Sequence, residues 1–492
     1  MQIENPDVVL IGSGVMSANL GALLKKLDPK LRIQLYEVAD GFAEEASNAW
    51  NNAGTGHAGI CELSYTPNRR ADGTVDVDKA FEVFEQFEQT RQFWAYAVRS
   101  GMIENPRDFI NRVPHLSFVH GQEQVDFLKD RHAALSKHHF FSTMEYTTDR
   151  EMIGEWAPLL MDGRGDVPVA ATKMENGTDV NFGEVSRKLI AWLSAQDGCN
   201  AVASHRVTDL SKRDGRWEIE VRDLKTGEVK KNTAKFVFVG AGGGSLPLLQ
   251  KAGIPEAHGY GGFPIGGQWL VCDDPEIVSQ HEAKVYGQAQ EEAPTMAVPH
   301  LDTRVIDGKK AILFGPFASW TMKFLHQGGK QTDLMKSVKP SNLFTLLKVG
   351  AYNLGLVKYL VQQGTQSMKD RMDVLHRFYP AADEKDWRLI DAGIRVQAIT
   401  EEDGSAGIVH FGTEVVTSAD KSISALLGAS PGASVCVNVM IEAIEKSFPH
   451  LLNSEEGKAL MAEMVPTYGV KLVEDPECYA RVKPLADEAL GV

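Results

Sequence analysis

Asp7-Val8-Val9-Leu10-Ile11-Gly12-Ser13-Gly14-Val15-Met16-Ser17 reads as a buried strand, a glycine turn and the first turn of a helix. Val8 to Ile11 is a continuous apolar run, the pattern of a strand covered on both faces in a parallel sheet. Gly12 permits the tight turn and Gly14 lets a pyrophosphate approach the backbone. Ser17 stands where a dinucleotide fingerprint has its third glycine, and is small enough for helix to pack on strand. Ser13, Val15 and Met16 complete the cradle, with helix N–H groups aimed at phosphate. Arg32 to Tyr36 is a second strand ending in Glu37, an acid suited to a ribose hydroxyl pair and hostile to a 2′-phosphate. This stretch alone leaves NAD and FAD both open.

At 492 residues the chain exceeds what one core holds comfortably, so two domains are expected. A net charge of −15 argues against a broad nucleic-acid surface. The five cysteines, Cys61, Cys199, Cys272, Cys436 and Cys478, show no CxxC spacing and suggest no metal site. Such scatter fits a reducing cytosol. The sequence enters its first strand directly, with no leader expected, and no run of about 18 apolar residues marks a membrane span.

After Glu37, Ser47-Asn48-Ala49-Trp50-Asn51-Asn52-Ala53-Gly54-Thr55-Gly56-His57-Ala58-Gly59 is small, polar and glycine-rich. It reads as ordered loop backbone brought against a ligand. A helix from Val77 to about Val98, a strand at Pro114 to Val119 and a charged helix at Gln122 to Ser136 leave the nucleotide sheet. The chain then returns. Phe182 to Leu193 is a helix, a strand surrounds Arg206-Val207, and Phe236-Val237-Phe238-Val239-Gly240-Ala241-Gly242 repeats the strand-plus-glycine element. A contiguous pair of halves is usual for NAD. A sheet resumed after a long insertion suits a flavoprotein whose insertion covers the isoalloxazine. A second excursion carries strands at 268–272 and 311–315. It also carries Asn342 to Gln362, long, apolar and almost free of acids, with Lys336, Lys339, Lys348 and Lys358 around it. That segment reads as a buried helix pair or as an interfacial membrane anchor. A third return brings strands at 390–399 and 407–416, then Gly428 to Ser434 opening a helix from Val435 to Phe448. A glycine loop entering a helix favours an anion or a dipole.

The fold expected is therefore α/β, a Rossmann-like FAD-binding domain built from a discontinuous chain (1–62, 176–257 and 390–450). Residues 63–175 and 258–389 form an inserted α+β substrate domain with a mainly antiparallel sheet, and 451–492 a C-terminal extension.

These pieces resemble the malate:quinone oxidoreductases, within the wider glutathione-reductase-like and D-amino-acid-oxidase-like FAD proteins. The resemblance runs from Val8 to Met464-Val465-Pro466-Thr467-Tyr468-Gly469-Val470-Lys471-Leu472. It is carried by the loop at 47–59, Val298-Pro299-His300-Leu301-Asp302-Thr303-Arg304, Leu313-Phe314-Gly315-Pro316-Phe317-Ala318, Phe411-Gly412-Thr413-Glu414-Val415-Val416 and Leu427-Gly428-Ala429-Ser430-Pro431-Gly432-Ala433-Ser434. It implies FAD-dependent, NAD-independent oxidation of (S)-malate to oxaloacetate. Electrons would pass to a membrane quinone, with the enzyme peripheral on the cytoplasmic face of the cell membrane. A related L-2-hydroxyglutarate dehydrogenase keeps the fold and changes the acid by one methylene, which makes it the alternative.

Oxidising a 2-hydroxy acid removes a hydride from C2 and a proton from its hydroxyl. His is the default base, and His300 is favoured slightly over His57, both lying in motif loops. Arg offers the bidentate geometry a carboxylate favours. Arg395, in Gly393-Ile394-Arg395, is similar to the Gly-x-Arg of related amine oxidases, where that arginine meets the substrate carboxylate; those relatives have proline next, and here Val396 follows. Arg304 is the second candidate: on a strand, residues 300, 302 and 304 share one face, so His300 and Arg304 would both look into the pocket. The cofactor would meet Gly12, Ser13, Gly14, Val15, Met16, Ser17, Glu37, Asn52, Gly54, Thr55, Gly56, His57, Val207, Gly240, Ala241, Gly242, Gly428, Pro431, Gly432, Ala433 and Ser434, with the helix opening near Gly432 at the flavin's pyrimidine end.

Overall fold

The computed structural model describes residues 2–288, 298–352, 364–402, 405–408, 414–428 and 432–492. The opening run Val8–Ile11 is a strand with all four residues buried. It lies between Ile33–Tyr36 and Phe236–Val239, parallel to both. Cys199–Val202 extends the sheet in parallel on one side and Ile423–Leu427 on the other. Glu414–Thr417 closes that edge antiparallel, giving a six-stranded sheet. Three separated stretches of chain thus build one sheet, as the repeated strand-plus-glycine elements require.

Ser17 has zero exposure, and its Oγ finds no hydrogen-bond partner. A Cβ at Gly240 would stand 2.3 Å from that oxygen. The close approach that a third glycine normally provides is supplied here from the neighbouring strand instead.

A nine-stranded, largely antiparallel sheet forms the second layer, in the order 405–408, 388–402, 261–272, 309–319, 300–306, 284–286, 115–120, 169–174, 145–147. Leu116, Leu270, Leu301 and Phe314 on its outer face meet Phe378 in one apolar core. Its inner face turns toward the loop at 47–59, where Trp269, Val271 and Leu313 meet Trp50 and Ala53. A three-stranded antiparallel sheet, 205–213, 216–223 and 229–234, completes the nucleotide side. The hairpin turns near Lys225-Thr226-Gly227, as its residues suggested.

Sheet membership departs from the expected boundaries in three places. Strand Arg388–Glu402 pairs along Gly261–Val271 in the nine-stranded sheet, so the chain rejoins the nucleotide sheet only at Glu414 and not near 390. Helix Asp78–Arg99, expected in the inserted domain, packs Phe84, Phe87 and Trp94 into the core holding Leu20, Leu23 and Met440. Trp94 Nε1 donates to Asn19 Oδ1 at 3.1 Å, which fixes the helix to the first nucleotide helix. The C-terminal residues Met461, Leu472, Val482 and Leu490 belong to the same core, and buried Arg91 ion-pairs with both Glu88 and Asp487. Residues 451–492 therefore wrap the nucleotide layer and form no separate extension.

The helix expected over Asn342 to Gln362 is described as Pro340–Tyr352, and residues 353–362 lie outside the described residues. The last nucleotide-side helix runs Cys436–Ser447, preceded by a turn from Gly432. It opens within one residue of the expected Val435, four residues after Gly432. Pro431 and the motif residues Phe411 to Thr413, Ala429 and Ser430 also lie outside the described residues.

Candidate active site

One cavity of about 1210 Å³ runs between the two layers. Its first end is lined by Gly12, Ser13, Gly14, Val15, Met16, Glu37, Val207, Gly240, Ala241 and Gly242. Both Glu37 oxygens are engaged: Oε2 accepts from the Ser13 N–H at 2.8 Å and the Ser13 hydroxyl at 2.5 Å, and Oε1 from the Ala39 N–H at 2.8 Å. The acid thereby holds the glycine turn open. Ser47 Oγ accepts the Val15 N–H at 3.0 Å. The Gly14 N–H has no acceptor among the described residues, and it borders the cavity at a helix N-terminus whose N-cap residue is this glycine. That is a donor set for an anionic bridge. A segment of the inserted layer, Phe324 to Lys330, closes over this end. Glu45 latches it by accepting the His326 N–H at 2.9 Å and the Gln327 N–H.

The far end is lined by Asn52, Gly54, Thr55, His57, Glu62, Trp269, Tyr286, His300, Phe317, Arg395, Gly428, Gly432, Ala433 and Ser434. Ser434 Oγ ties the two flanking segments: it donates to the Thr55 carbonyl at 2.9 Å and accepts the His57 N–H at 3.0 Å. Thr55 Oγ1 and Tyr286 Oη lie 2.8 Å apart. The His57 ring meets Tyr65 and Tyr286 edge-on, at 6.0 and 5.9 Å between centroids. Burial, followed by His115 and His300, pushes the His57 imidazole down to about 3, so it is neutral at any ordinary pH.

His300 stacks on Tyr286 with centroids 4.3 Å apart and planes within 4°. Its Nδ1 lies 2.8 Å from Asp302 Oδ2, leaving the opposite ring edge at the cavity. Asp302 is fully buried. Burial pushes its carboxyl up, but His300 and Lys284 outweigh that and hold it at about 2. Behind it Lys284 Nζ sits 3.7 Å from Asp302 and 2.9 Å from Asp179. Lys284 also donates to the carbonyls of Ala53 and Thr303, at 2.8 and 3.2 Å. Asp179 then pairs with Arg304 Nε at 2.8 Å. Two buried acids and two buried bases alternate, so the chain of charges is balanced, as burial demands.

Arg304 departs from expectation. The strand does present residues 300, 302 and 304 on one face, but Arg304 does not line the cavity. Its guanidinium donates to the carbonyls of Ala49, Asn52 and Val180. A Cβ at Gly54 would stand 2.3 Å from its Cζ, and Gly54 has φ +61°. The arginine acts as a rivet under the glycine loop. Gly56 likewise packs away from the cavity, against Thr178 and Phe87. Arg395 has the opposite disposition. It lines the cavity half-buried, and no hydrogen bond or ion pair holds its guanidinium among the described residues. Burial pushes its pKa down and Tyr65 opposes that, yet an arginine stays charged. The pairing of Ile265 with Arg395 across the nine-stranded sheet fixes its position.

Sequence reasoning missed Asp302, Lys284, Glu62, Trp269 and Tyr286. Asp302 was within reach, since it shares the strand face of His300. Lys284 and Tyr286 alternate on the strand Lys284–Tyr286 and oppose Asp302 and His300 in register, a pairing that no local pattern announces. Glu62 follows the glycine loop, its Oε1 accepting from the Ser64 hydroxyl at 2.7 Å, and burial raises its pKa.

The model of the malate:quinone oxidoreductase family matches residues 4–492. The "probable malate:quinone oxidoreductase" of Oceanobacillus iheyensis is 51% identical over 489 residues, covering 99% of this chain and 96% of its own. The like-named protein of Flavobacterium johnsoniae is 48% identical over 491 residues, covering 99% and 98%. Among solved structures, L-α-glycerophosphate oxidase from Mycoplasma pneumoniae with FAD bound is similar with a TM-score of 0.57 at 15% identity, over 92% of this chain and 96% of that one. Glycine oxidase from Bacillus cereus gives 0.57 at 13%, over 93% and 97%. At such identities these two speak for the fold, and the fold is the interrupted nucleotide sheet with an antiparallel cap described above. With a family match from end to end, the chain belongs to the malate:quinone oxidoreductases and is an FAD-dependent oxidoreductase.

Proposed function

We propose that the chain oxidises (S)-malate to oxaloacetate at the His57–His300–Arg395 end of the cavity, with quinone as electron acceptor. One observation carries this reading: an unpaired guanidinium, Arg395, and an acid-paired histidine, His300, open on the same cavity as the dinucleotide cradle. Gly12 to Met16, Val207 and Gly240 to Gly242 hold the ADP half of FAD. Asn52, Thr55, His57 and Gly432 to Ser434 border the ring end. FAD, when bound, would supply the hydride acceptor and the redox link to quinone. Arg395 takes a substrate carboxylate through paired N–H donors. The malate hydroxyl gives its proton to His300 Nε2 as the C2–H bond breaks and C2=O forms. The stacked Tyr286 and the indole of Trp269 keep the ring fixed and bulk water out.

His57 is the second reading for the base. Its ring is neutral and has no hydrogen-bond partner among the described residues, and its backbone is pinned to Ser434. His300→Gln and His57→Gln separate the two: the variant of the true base loses about 10²–10⁴-fold in kcat, while the other loses far less.

The chain also works at a membrane surface, peripheral on the inner face. Support comes from helix Pro340–Tyr352, where Leu343, Phe344 and Leu347 are 47, 66 and 62% exposed beside Lys348. Lys336 and Lys339 just before it line the cavity, so this helix flanks the cavity mouth. No helix among the described residues is long and apolar enough to cross a membrane. Quinones are lipid-soluble, and a mouth beside an apolar surface suits them.

The direct test is spectroscopic. Malate added to the anaerobic yellow holoenzyme bleaches its flavin absorbance without NAD, and a soluble quinone restores it. The L-2-hydroxyglutarate alternative differs by one methylene, a discrimination of about 1–3 kcal/mol, or roughly 10–200-fold in kcat/KM. An absence of bleaching by malate, or a higher kcat/KM for 2-hydroxyglutarate, overturns the assignment.

A further inference from the structure

We infer that Asp302 is a positioning residue for His300, fixing which ring nitrogen is free and compensating the charge the ring acquires; this rests on reading His300 as the proton acceptor.

Asp302 cannot touch substrate. It has zero exposure and is absent from the cavity wall. Its Oδ2 is instead 2.8 Å from His300 Nδ1, and His300 is only 5% exposed, so no solvent competes for that nitrogen. The contact is an ion-pair approach and not an aligned hydrogen bond; the ionised Asp302 nonetheless favours the neutral-ring proton on Nδ1, the nitrogen beside it, and the lone pair on Nε2. Among the described residues the ring pairs with the aromatic rings of Tyr286 and Trp269, and neither ring face selects a tautomer.

Among the described residues, the titratable and charged groups around His300 are Lys284 and Tyr286 on the strand beside it, His115 on the next, His57 and Glu62 from the glycine loop and its sequel, and Arg395 at the same end of the cavity. Lys284 opposes a second positive charge on the ring. It also lies 3.7 Å from Asp302 and is anchored by Asp179 and two carbonyls. It therefore keeps Asp302 ionised while His300 is neutral. When Nε2 takes the hydroxyl proton, the O–H bond breaks, an N–H bond forms, and the new cation sits against a carboxylate already in place. No group has to move, which is the advantage of a preorganised site.

The test uses FAD-loaded Asp302→Asn, Asp302→Glu and His300→Gln. Removing the anion lowers the basicity of His300. For Asp302→Asn we expect kcat to fall at least about 100-fold with KM for malate within about threefold and full FAD content. The acidic limb of the kcat/KM profile should move down by at least about one pH unit. A merely structural carboxylate would not move that limb. Asp302→Glu keeps the charge and misplaces it, so the limb stays near its wild-type position while kcat falls at least about tenfold. If Asp302→Asn retains the wild-type limb and kcat within about threefold, the inference fails. If Asp302→Asn does not take up FAD, Asp302→Glu decides, and wild-type kcat there overturns the inference. His300→Gln distinguishes the two layers: activity surviving that change removes the base itself, whereas activity lost there but intact in Asp302→Asn removes only the role of Asp302.

Discussion

Two arginines that look alike in sequence divide the labour of the site. Arg395 offers an uncommitted guanidinium to the cavity, whereas Arg304 is fully engaged by Asp179 and three carbonyls. Their replacement should fail in different ways. Arg395→Gln removes a charge-assisted bidentate contact, about 2–3 kcal/mol, so KM for malate should rise roughly 30- to 150-fold with FAD content unchanged. Arg304→Gln leaves Asp179 short of a partner in the interior, a loss of about 3–5 kcal/mol, and frees the loop around Gly54. It should lower the melting temperature and the bound flavin before it alters malate affinity. Steady-state kinetics beside flavin absorbance checks both, and an unchanged KM in Arg395→Gln would remove that residue from the substrate site. The difference was half legible. Strand alternation correctly grouped residues 300, 302 and 304, but alternation cannot say whether open space or loop backbone stands in front of a face. Only Gly54, a glycine at φ +61° under the guanidinium, carried the missing signal. In the sequence it reads the same as a glycine required by a tight turn or by a ligand against the backbone.

At the scale of elements, helix Pro340–Tyr352 inverts the usual amphipathic order. Asn342, Thr345 and Val349 are buried, while Leu343, Phe344 and Leu347 face outward. The inward Asn342 is satisfied by the carbonyls of Tyr260 and Ser337, at 2.8 and 3.0 Å. The outward face therefore is not an error of register; it is an apolar surface beside Lys348, whose ammonium lies 4.7 Å from the Phe344 ring. Composition marked the segment as apolar and basic but left a buried helix and an interfacial one both open, because a hydrophobic count does not say which side the protein occupies. On the membrane reading proposed above this face would sit in the headgroup region, where each such side chain contributes about 1.5–3 kcal/mol when removed from water. Phe344→Glu combined with Leu347→Glu should reduce flotation with anionic liposomes at least about tenfold and leave malate-dependent bleaching of the flavin intact. Undiminished flotation would assign the membrane contact elsewhere on the molecule.

For the whole molecule, the interruption of the nucleotide sheet was readable from Val8–Ile11 and Phe236–Val239, each an apolar strand running into glycine. The third return's strand Ile423–Leu427 was missed, and 390–399, expected there, pairs in the nine-stranded sheet. The limits of the layers were not readable, because strand Arg388–Glu402 and helix Asp78–Arg99 declare their type locally and their partners only in three dimensions. The seam between the layers holds a cluster of buried ionisable groups, and their balance contributes to how the fold responds to acid. Burial pushes His57 down to about 3 and His115 to about 4 in the folded chain, against 6.5 for a free imidazole. His115 Nε2 lies 3.0 Å from the Thr178 carbonyl oxygen and 3.1 Å from its N–H, and burial is the main cause that holds the ring neutral. Between these values and 6.5 the unfolded chain binds protons that the folded chain refuses. Stability therefore rises with pH through this window and is lost as the pH falls below about 6.5, by up to about 1.4 kcal/mol per pH unit for each histidine. Asp302 acts lower: held at about 2 against 3.8, it stabilises above 3.8 and loses that contribution only as the pH falls toward 2. Acid lability between about pH 6.5 and 4 should thus belong to the histidines. His115→Gln can still accept the Thr178 N–H and has nothing to protonate. Its melting temperature should fall less steeply than that of the wild type between about pH 7 and pH 5, measured by calorimetry on the holoenzyme, whereas an unaltered slope would place the acid-sensitive group elsewhere than His115.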